Sequence, residues 1–210
     1  GKKFAMAISA IFLMIFLLQH FIINITSVFS EEIFNMLSHF MGTNPLVQFI
    51  LQPILIAGVL FHFIMGFYLE IQNRKAAKYE YQKEKGSANS TWMSRNMITS
   101  GLVILAFLVL HFIDFWVPEM NYKYIEFLPE DPNRYYEELV HKFENPLRVA
   151  MYCISFVLLA LHLLHGFTSS LRSMGTNKSY VSSAKTAGII YSIGIPLGFC
   201  VIAIFHYLNH

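Results

Sequence analysis

The sequence is poor in charged residues and in cysteine, and both deficits exclude large classes of protein. Only 13% of its 210 residues are charged while 55% are hydrophobic, which is unlike a soluble domain. The net charge is only +2, so the chain lacks the basic surface that nucleic-acid binding requires. Its two cysteines, Cys153 and Cys200, lie far apart in apolar runs. This spacing excludes a paired-cysteine zinc site and a four-cysteine iron–sulfur cluster.

Five long apolar runs predict an all-α integral membrane protein. A bilayer core about 30 Å thick requires roughly 20 apolar residues of helix. Windows of this kind run approximately over 4–25, 46–69, 97–116, 147–171 and 187–207. Asn44-Pro45 and Asn145-Pro146 each place a capping side chain before a proline at the first helical position, where the second and fourth spans begin. We expect a single transmembrane domain over 1–210.

Lysine and arginine are distributed unequally between the two ends of the spans. Eleven of them lie at the N-terminus, in the 70–96 loop and in the loop between the last two spans, and four lie on the opposite side. The positive-inside rule therefore predicts a cytoplasmic N-terminus and an outer C-terminus. We expect a multi-pass protein of the cytoplasmic (inner) membrane.

A histidine lies late in each of the first four spans. Sixteen to nineteen residues separate these histidines from the start of their spans, as counted from Lys3 to His20, Pro45 to His62, Arg95 to His111 and Pro146 to His165. A helix rises 1.5 Å per residue, so each histidine is about 24 Å or more across the membrane. Because the spans alternate in direction, His20 and His111 form an outer pair and His62 and His165 a cytoplasmic pair.

In each pair the two histidines lie at the same depth, and each hairpin of helices contributes one of them. This arrangement predicts a four-helix bundle with the fifth span alongside. Such pairs suit a group that is held between facing helices by two axial nitrogen ligands. Gly58 and Gly66 lie one turn on either side of His62, and this clearing favours a porphyrin over a bare ion. A single intramembrane histidine is as readily a hydrogen-bonded packing residue, but four at matched depths favour ligation.

Two histidines leave alternatives open. His162 has Gly166 one turn later and His165 has Gly166 adjacent, so the sequence barely separates them as the ligand of the fourth span. His206 lies in the outer part of the fifth span and competes with the outer pair. A histidine-lined metal transporter is the alternative from another class of protein, although such sites usually have acidic residues near the midplane.

Four stretches carry a resemblance to a known family: GKKFAMAISAIFLMIFLLQH at 1–20, SANSTWMSRNMITSG at 87–101, LHFIDFW at 110–116 and LLALHLLHGFTSSLRSMGTN at 158–177. With the histidine pairs, the chain resembles the five-helix di-haem cytochrome b subunit (b558 type) of menaquinone-linked succinate dehydrogenase and fumarate reductase, over essentially its whole length. The resemblance implies a membrane anchor with two haem b groups and menaquinone as substrate. It also implies a flavoprotein subunit and an iron–sulfur subunit bound on the cytoplasmic side.

The resemblance also implies roles for individual residues. The proximal haem iron is assigned to His62 and His165, because the family has histidine followed by glycine in its fourth helix, and the distal haem iron to His20 and His111. Some fumarate reductases of this type have a glutamate two residues before the fourth-helix histidine, where this chain has Leu163. At this position the chain therefore lacks the carboxylate on which that proton route depends.

Further candidates follow from chemistry and position. Arg95 and Arg172, at cytoplasmic helix ends, are candidates to pair with the propionates. Glu31, Glu32 and His39, in the outer loop, are candidates for the quinone site, which needs a proton donor or acceptor. The di-haem membrane subunit of a hydrogenase, formate dehydrogenase or nitrate reductase is the alternative within the same class, and the soluble subunits that co-purify distinguish it.

Overall fold

The computed structural model of the chain describes residues 1–80, 97–175 and 178–209. These residues are mostly helical and include no strand. We number the helices α1 (Lys2–Ile25), α2 (Glu31–Thr43), α3 (Gln52–Glu80), α4 (Met97–His111), α5 (Val117–Tyr124), α6 (Arg134–Phe143), α7 (Pro146–Ser173) and α8 (Lys178–Asn209). One π-helical turn, Val47–Leu51, leads into α3, and another, Phe112–Trp116, joins α4 to α5.

Five helical segments are long and apolar enough to cross a membrane. They are Lys2–Val28, Val47–Lys75, Met97–Tyr124, Pro146–Ser173 and Ala184–Asn209. The predicted five-span, all-α fold is confirmed. The third segment is longer than predicted because α5 continues the helix past the apolar window into polar sequence. The orientation of the termini and the choice of membrane stay predictions.

Asparagine caps begin the second and fourth spans, as the sequence predicts. The Asn44 side-chain oxygen accepts hydrogen bonds from the backbone N–H groups of Leu46 and Val47, at 3.0 and 3.4 Å. The Asn145 oxygen does the same for Leu147 and Arg148, at 2.9 and 3.2 Å. These bonds satisfy N–H groups that have no partner within the helix.

The first four spans form a four-helix bundle. Contacts between α1 and α3, α1 and α7, and α4 and α7, with a looser contact between α3 and α4, form its four sides. Thus α1 lies diagonally opposite α4, and α3 diagonally opposite α7. The fifth span, α8, packs most extensively on α7 and also contacts α1. The buried core lies mainly between α7 and α8 and extends to α2 and α6; it includes Phe34, Phe143, Tyr152, Phe156, Ile195, Phe199 and Ile202.

Close approach of α8 to α1 depends on a glycine. A Cβ added at Gly198 would overlap the Phe21 ring, and this ring is held edge-on against Phe199 at 5.3 Å between centroids. We therefore expect Gly198→Ala to lower the free energy of unfolding by about 1–3 kcal/mol through overpacking. Gly194 is the matched control, because a Cβ added there meets nothing within 4 Å. Equal effects of the two substitutions on unfolding in detergent would contradict the packing argument.

Candidate functional site

The outer histidines meet across one diagonal of the bundle. The His20 ring on α1 and the His111 ring on α4 lie 5.7 Å apart between centroids, with their planes at 88°. Two imidazoles that bind one metal ion from opposite sides, with nitrogens about 2 Å from it, have centroids roughly 6 Å apart. The side chains therefore suit a shared metal ion with two axial nitrogen ligands.

Aromatic rings enclose this outer pair. Phe16 stacks on His20 at 5.5 Å between centroids, and Phe107 stacks on His111 at 5.9 Å. Phe199 of α8 lies 5.7 Å from the His20 ring. In the described part of the chain, Nδ1 of His111 is buried without a hydrogen-bond partner. A buried ring nitrogen without a protein partner is available to a ligand atom.

A serine on α1 orients His62 of α3. The Ser9 hydroxyl donates its proton to the carbonyl of Met6 at 2.8 Å, and its oxygen lies 3.1 Å from Nδ1 of His62. Because the hydroxyl proton is already used, the serine oxygen is left to accept a hydrogen bond from the imidazole N–H. This geometry assigns the proton to Nδ1 and leaves Nε2 with a free lone pair, as a metal ligand requires.

His162 of α7 makes the same contact with α4. The Ser100 hydroxyl donates to the Met97 carbonyl at 2.9 Å, and its oxygen lies 3.1 Å from Nδ1 of His162. Nε2 of His162 is therefore also left with a free lone pair. An electrostatic interaction links His162 to His62, which lies on the diagonally opposite helix of the bundle. His62 and His162, which we call the inner pair, thus have matching hydrogen bonds.

The two hairpins repeat these positions in sequence. Four residues of α1 recur at the same spacing in α4, 91 residues later: Met6, Ser9, Phe16 and His20 correspond to Met97, Ser100, Phe107 and His111. On the second helix of each hairpin, His62 lies 17 residues after Pro45, His162 lies 16 after Pro146, and His165 lies 19 after it. This repeat is the signal from which Ser9, Ser100 and His162 can be found.

The glycines that flank His62 face α1. A Cβ at Gly58 would lie 2.8 Å from the Phe12 ring, and one at Gly66 would lie 3.5 Å from Cε of Met6. Gly58, in particular, allows α1 to approach α3 closely. The sequence predicts open space for a macrocycle beside these two glycines. In this structure, side chains of α1 occupy that space.

His165 lies apart from the matched contacts. It lines a cavity of about 530 Å³ at the end of α7, together with Arg172 and Lys3. Arg172 is exposed, and it interacts electrostatically with His165. The other propionate candidate, Arg95, lies outside the residues that the structure describes.

A buried carboxylate lies one turn beyond His111. Asp114 is only 2% exposed and forms an ion pair with Arg148 of α7. The hydroxyl of Tyr152 donates to its other oxygen at 2.8 Å, and the Tyr152 ring lies 6.4 Å from the His111 ring. The sequence alone suggests only a polar group at a helix end, because both partners come from another helix.

The fifth-span histidine, His206, has its own buried partners. It is fully buried, and its Nε2 lies 2.9 Å from the Ser27 hydroxyl oxygen. Its ring meets the Tyr136 ring edge-on at 5.5 Å between centroids. These contacts join α8 to α6 and to the turn after α1, and they favour a packing role.

A polar cavity of about 260 Å³ lies among α2, α5 and α6, and His39 is part of its lining. The Glu119 carboxylate pairs with both Lys123 and Arg134. The Arg134 guanidinium lies over the ring of Tyr135, 4.3 Å from its centroid. Burial, assisted by the Glu119 charge, raises the pKa of Tyr135 to about 12.

The three quinone-site candidates differ in their surroundings. Nδ1 of His39 is buried and, within the described residues, has no hydrogen-bond partner. Glu31 and Glu32 are exposed in the first turn of α2, where Ser30 caps the helix by accepting from the Ile33 N–H. Of the three candidates, only His39 therefore lines the polar cavity.

The histidines of the described residues come together in pairs and not in larger clusters of potential metal ligands. No group of three or more His, Cys, Asp or Glu side chains within 1–80, 97–175 and 178–209 is arranged to hold a metal ion. A histidine pair leaves the remaining coordination positions to non-protein donors, such as the nitrogens of a macrocycle.

Comparison of the chain with models of protein families, with curated proteins and with solved structures finds no match.

Proposed function

We propose that the chain is the membrane-anchor cytochrome b subunit of a succinate:quinone oxidoreductase. It carries electrons between a cytoplasmic iron–sulfur subunit and menaquinone through two b-type haems. One observation carries the proposal: His20 of α1 faces His111 of α4 at 5.7 Å between ring centroids. His62 and His162, from the other two helices, have matching contacts with serines. Paired axial imidazoles in a helical bundle are a recurrent way of holding haem.

The ligand from α7 is His162 in this proposal, although the family pattern predicts His165. His62 and His162 share the serine contact that leaves Nε2 free, and their positions within the two hairpins correspond. His165 instead shares a cavity with two basic side chains. The outer ligands stay His20 and His111.

Each residue around the pairs has a definite task in this mechanism. A bound haem supplies one-electron transfer at its iron. Ser9 and Ser100 hold the inner imidazoles in one tautomer and one orientation. Phe16 and Phe107, stacked on the outer imidazoles, exclude water and fix the ring planes. Asp114 keeps a buried negative charge near the outer pair, partnered by Arg148.

The quinone site in this proposal is the cavity that contains His39. A quinone accepts or releases protons at its ring oxygens, so its site needs a titratable group at hydrogen-bond distance. His39 has a buried nitrogen without a described partner, and the Tyr135 hydroxyl, whose pKa burial raises to about 12, is a hydrogen-bond donor. The cavity lies at the end of the bundle nearer to His20 and His111.

A reduced-minus-oxidised visible spectrum with haem quantitation tests the proposal. We expect two low-spin b-type haems per purified chain, because each diagonal pair supplies two imidazoles. One haem would mean that a pair is misassigned. No haem, in a folded preparation supplied with haem, would refute the cytochrome function and favour the metal transporter.

Co-purification distinguishes the proposal from other di-haem membrane subunits. We expect a flavoprotein subunit and an iron–sulfur subunit with succinate dehydrogenase or fumarate reductase activity to accompany the tagged chain in mild detergent. Recovery of hydrogenase, formate dehydrogenase or nitrate reductase subunits instead would retain the haem assignment and replace the enzyme.

The serine contacts predict a change in redox potential. An acceptor on Nδ1–H increases the basicity of an imidazole ligand, so we expect Ser9→Ala or Ser100→Ala to raise the midpoint potential of one haem without loss of haem. A shift of about 59 mV would correspond to a tenfold change in the one-electron equilibrium. Potentiometric titration measures it.

Ser155→Ala is the matched control for this experiment. Ser155 is also buried and donates to a backbone carbonyl in its own helix, that of Met151 at 2.8 Å. An equal shift in this variant would mean that loss of any buried hydroxyl, rather than of the histidine contact, changes the potential.

A further inference from the structure

The cavity at the end of α7 has the composition of an anion site. It lies between α7 and the first turn of α1, and its volume is about 530 Å³. Its polar lining consists of three basic groups and three hydroxyls: Lys3, His165, Arg172, Thr168, Ser169 and Ser173. None of the described lining residues is a carboxylate.

The unbalanced charge of the lining selects the ligand. Lys3 and Arg172 are basic side chains, and His165 is close enough to Arg172 to interact with its charge. Like charges held near each other are relieved by an anion between them. Guanidinium, ammonium and hydroxyl donors together suit a phosphate group, which has several acceptor oxygens.

The depth of the cavity distinguishes a lipid from a free anion. At 1.5 Å per residue, His165 lies about 29 Å along α7 from Pro146 and Arg172 about 39 Å. A hydrocarbon core is about 30 Å thick, so the cavity begins near the hydrocarbon boundary and ends in the headgroup layer. A ligand that fills it has an apolar part beside Leu164 and an anionic part beside Arg172.

We propose that this cavity binds the phosphate headgroup of an anionic phospholipid. Basic pockets between transmembrane helices are suitable sites for such headgroups. The site does not depend on haem binding. It also gives a role to His165, which belongs to neither of the proposed histidine pairs.

Native mass spectrometry of the full chain in detergent tests the proposal. After delipidation, the chain is titrated with phosphatidylglycerol, with phosphatidylcholine of the same acyl chains, and with inorganic phosphate. We expect one phosphatidylglycerol per chain to bind at least tenfold more tightly than phosphatidylcholine. Equal binding of the two lipids would overturn the proposal, as would saturation by inorganic phosphate at the same concentration.

Substitutions locate the site. We expect the double variant Lys3→Gln/Arg172→Gln to bind phosphatidylglycerol about thirtyfold more weakly, because each basic side chain near a lipid surface contributes about fivefold. Lys185→Gln is the control, since this exposed lysine lies on α8 away from the lining. Unchanged binding in the double variant, or an equal loss in the control, would overturn the assignment.

Haem content, measured in the same samples, separates this proposal from the proposed function. Loss of a haem in the double variant would assign the basic groups to a haem propionate and overturn the lipid site. Selective phosphatidylglycerol binding by a chain that contains no haem would support the lipid site while refuting the cytochrome.

Discussion

Replacing His162 with alanine is expected to remove one of the two proposed haems, whereas replacing His165 is expected to leave both in place. His162 has the hydrogen bond to Ser100 that frees Nε2, and an electrostatic interaction links it to His62 on the opposite helix. Loss of an axial imidazole from a bis-histidine site removes half of the protein ligation. The haem-to-protein ratio and the low-spin spectrum of each purified variant measure the outcome.

Combined substitutions test whether two histidines share one iron. We expect His62→Ala/His162→Ala to lose the same single haem as either substitution alone, since effects on one site are not additive. His20→Ala/His62→Ala should lose both haems, because its two substitutions affect different pairs. Imidazole added to the His162→Ala variant should restore the lost spectrum if the chain is folded.

The opposite result would return the ligand role to His165. If His165→Ala lost a haem and His162→Ala kept both, the histidine–glycine pattern in α7 would decide the ligand, and the Ser100 contact would only pack α4 against α7. The lipid cavity would then lose a residue but retain Lys3 and Arg172. The experiment thus resolves the alternative that the sequence leaves open.

Hydropathy and helix-capping residues were sufficient to predict the fold. Each span needs about 20 apolar residues to cross the bilayer, and Asn44 and Asn145 form their cap bonds within three residues along the chain. Such local signals depend on sequence distance alone. The depth of a histidine is also local, because it follows from the helical rise.

The partners within the site depend on tertiary contacts, and the sequence pattern did not resolve them. His162 and His165 are three residues apart on one helix, so they occupy neighbouring faces. The Ser100 contact of His162 and the cavity that His165 lines distinguish them. Asp114 lies at the end of an apolar window, where a carboxylate normally meets water. Its burial depends on Arg148 and Tyr152 of α7, which lie more than 30 residues away in sequence.

Arg148→Gln is expected to be among the most destabilising polar substitutions in the outer half of the bundle. It leaves the Asp114 carboxylate, 2% exposed, without its cation. Removal of one partner from a buried ion pair lowers the free energy of unfolding by about 3–5 kcal/mol. Because the Arg148 side chain is 30% exposed, the lower end of this range is expected. Unfolding in detergent measures it.

Two further variants test the electrostatic explanation. Asp114→Asn/Arg148→Gln removes both charges and should recover part of the lost stability, as expected for coupled residues. Arg74→Gln is the control, because the pair between Arg74 and Glu70 is largely exposed and such pairs contribute about 1 kcal/mol or less. No recovery in the double variant would mean that the packing of the Arg148 side chain, rather than its charge, stabilises the bundle.

The same ion pair should influence only one of the two haems. Asp114 lies one turn from His111, and Tyr152 contacts both residues, whereas the inner pair is fixed by Ser9 and Ser100. Loss of the Arg148 charge leaves a net negative charge near the outer iron, which stabilises its oxidised form. We therefore expect Arg148→Gln to lower the outer midpoint potential and leave the inner one unchanged. Equal shifts in both would indicate a global change in the bundle.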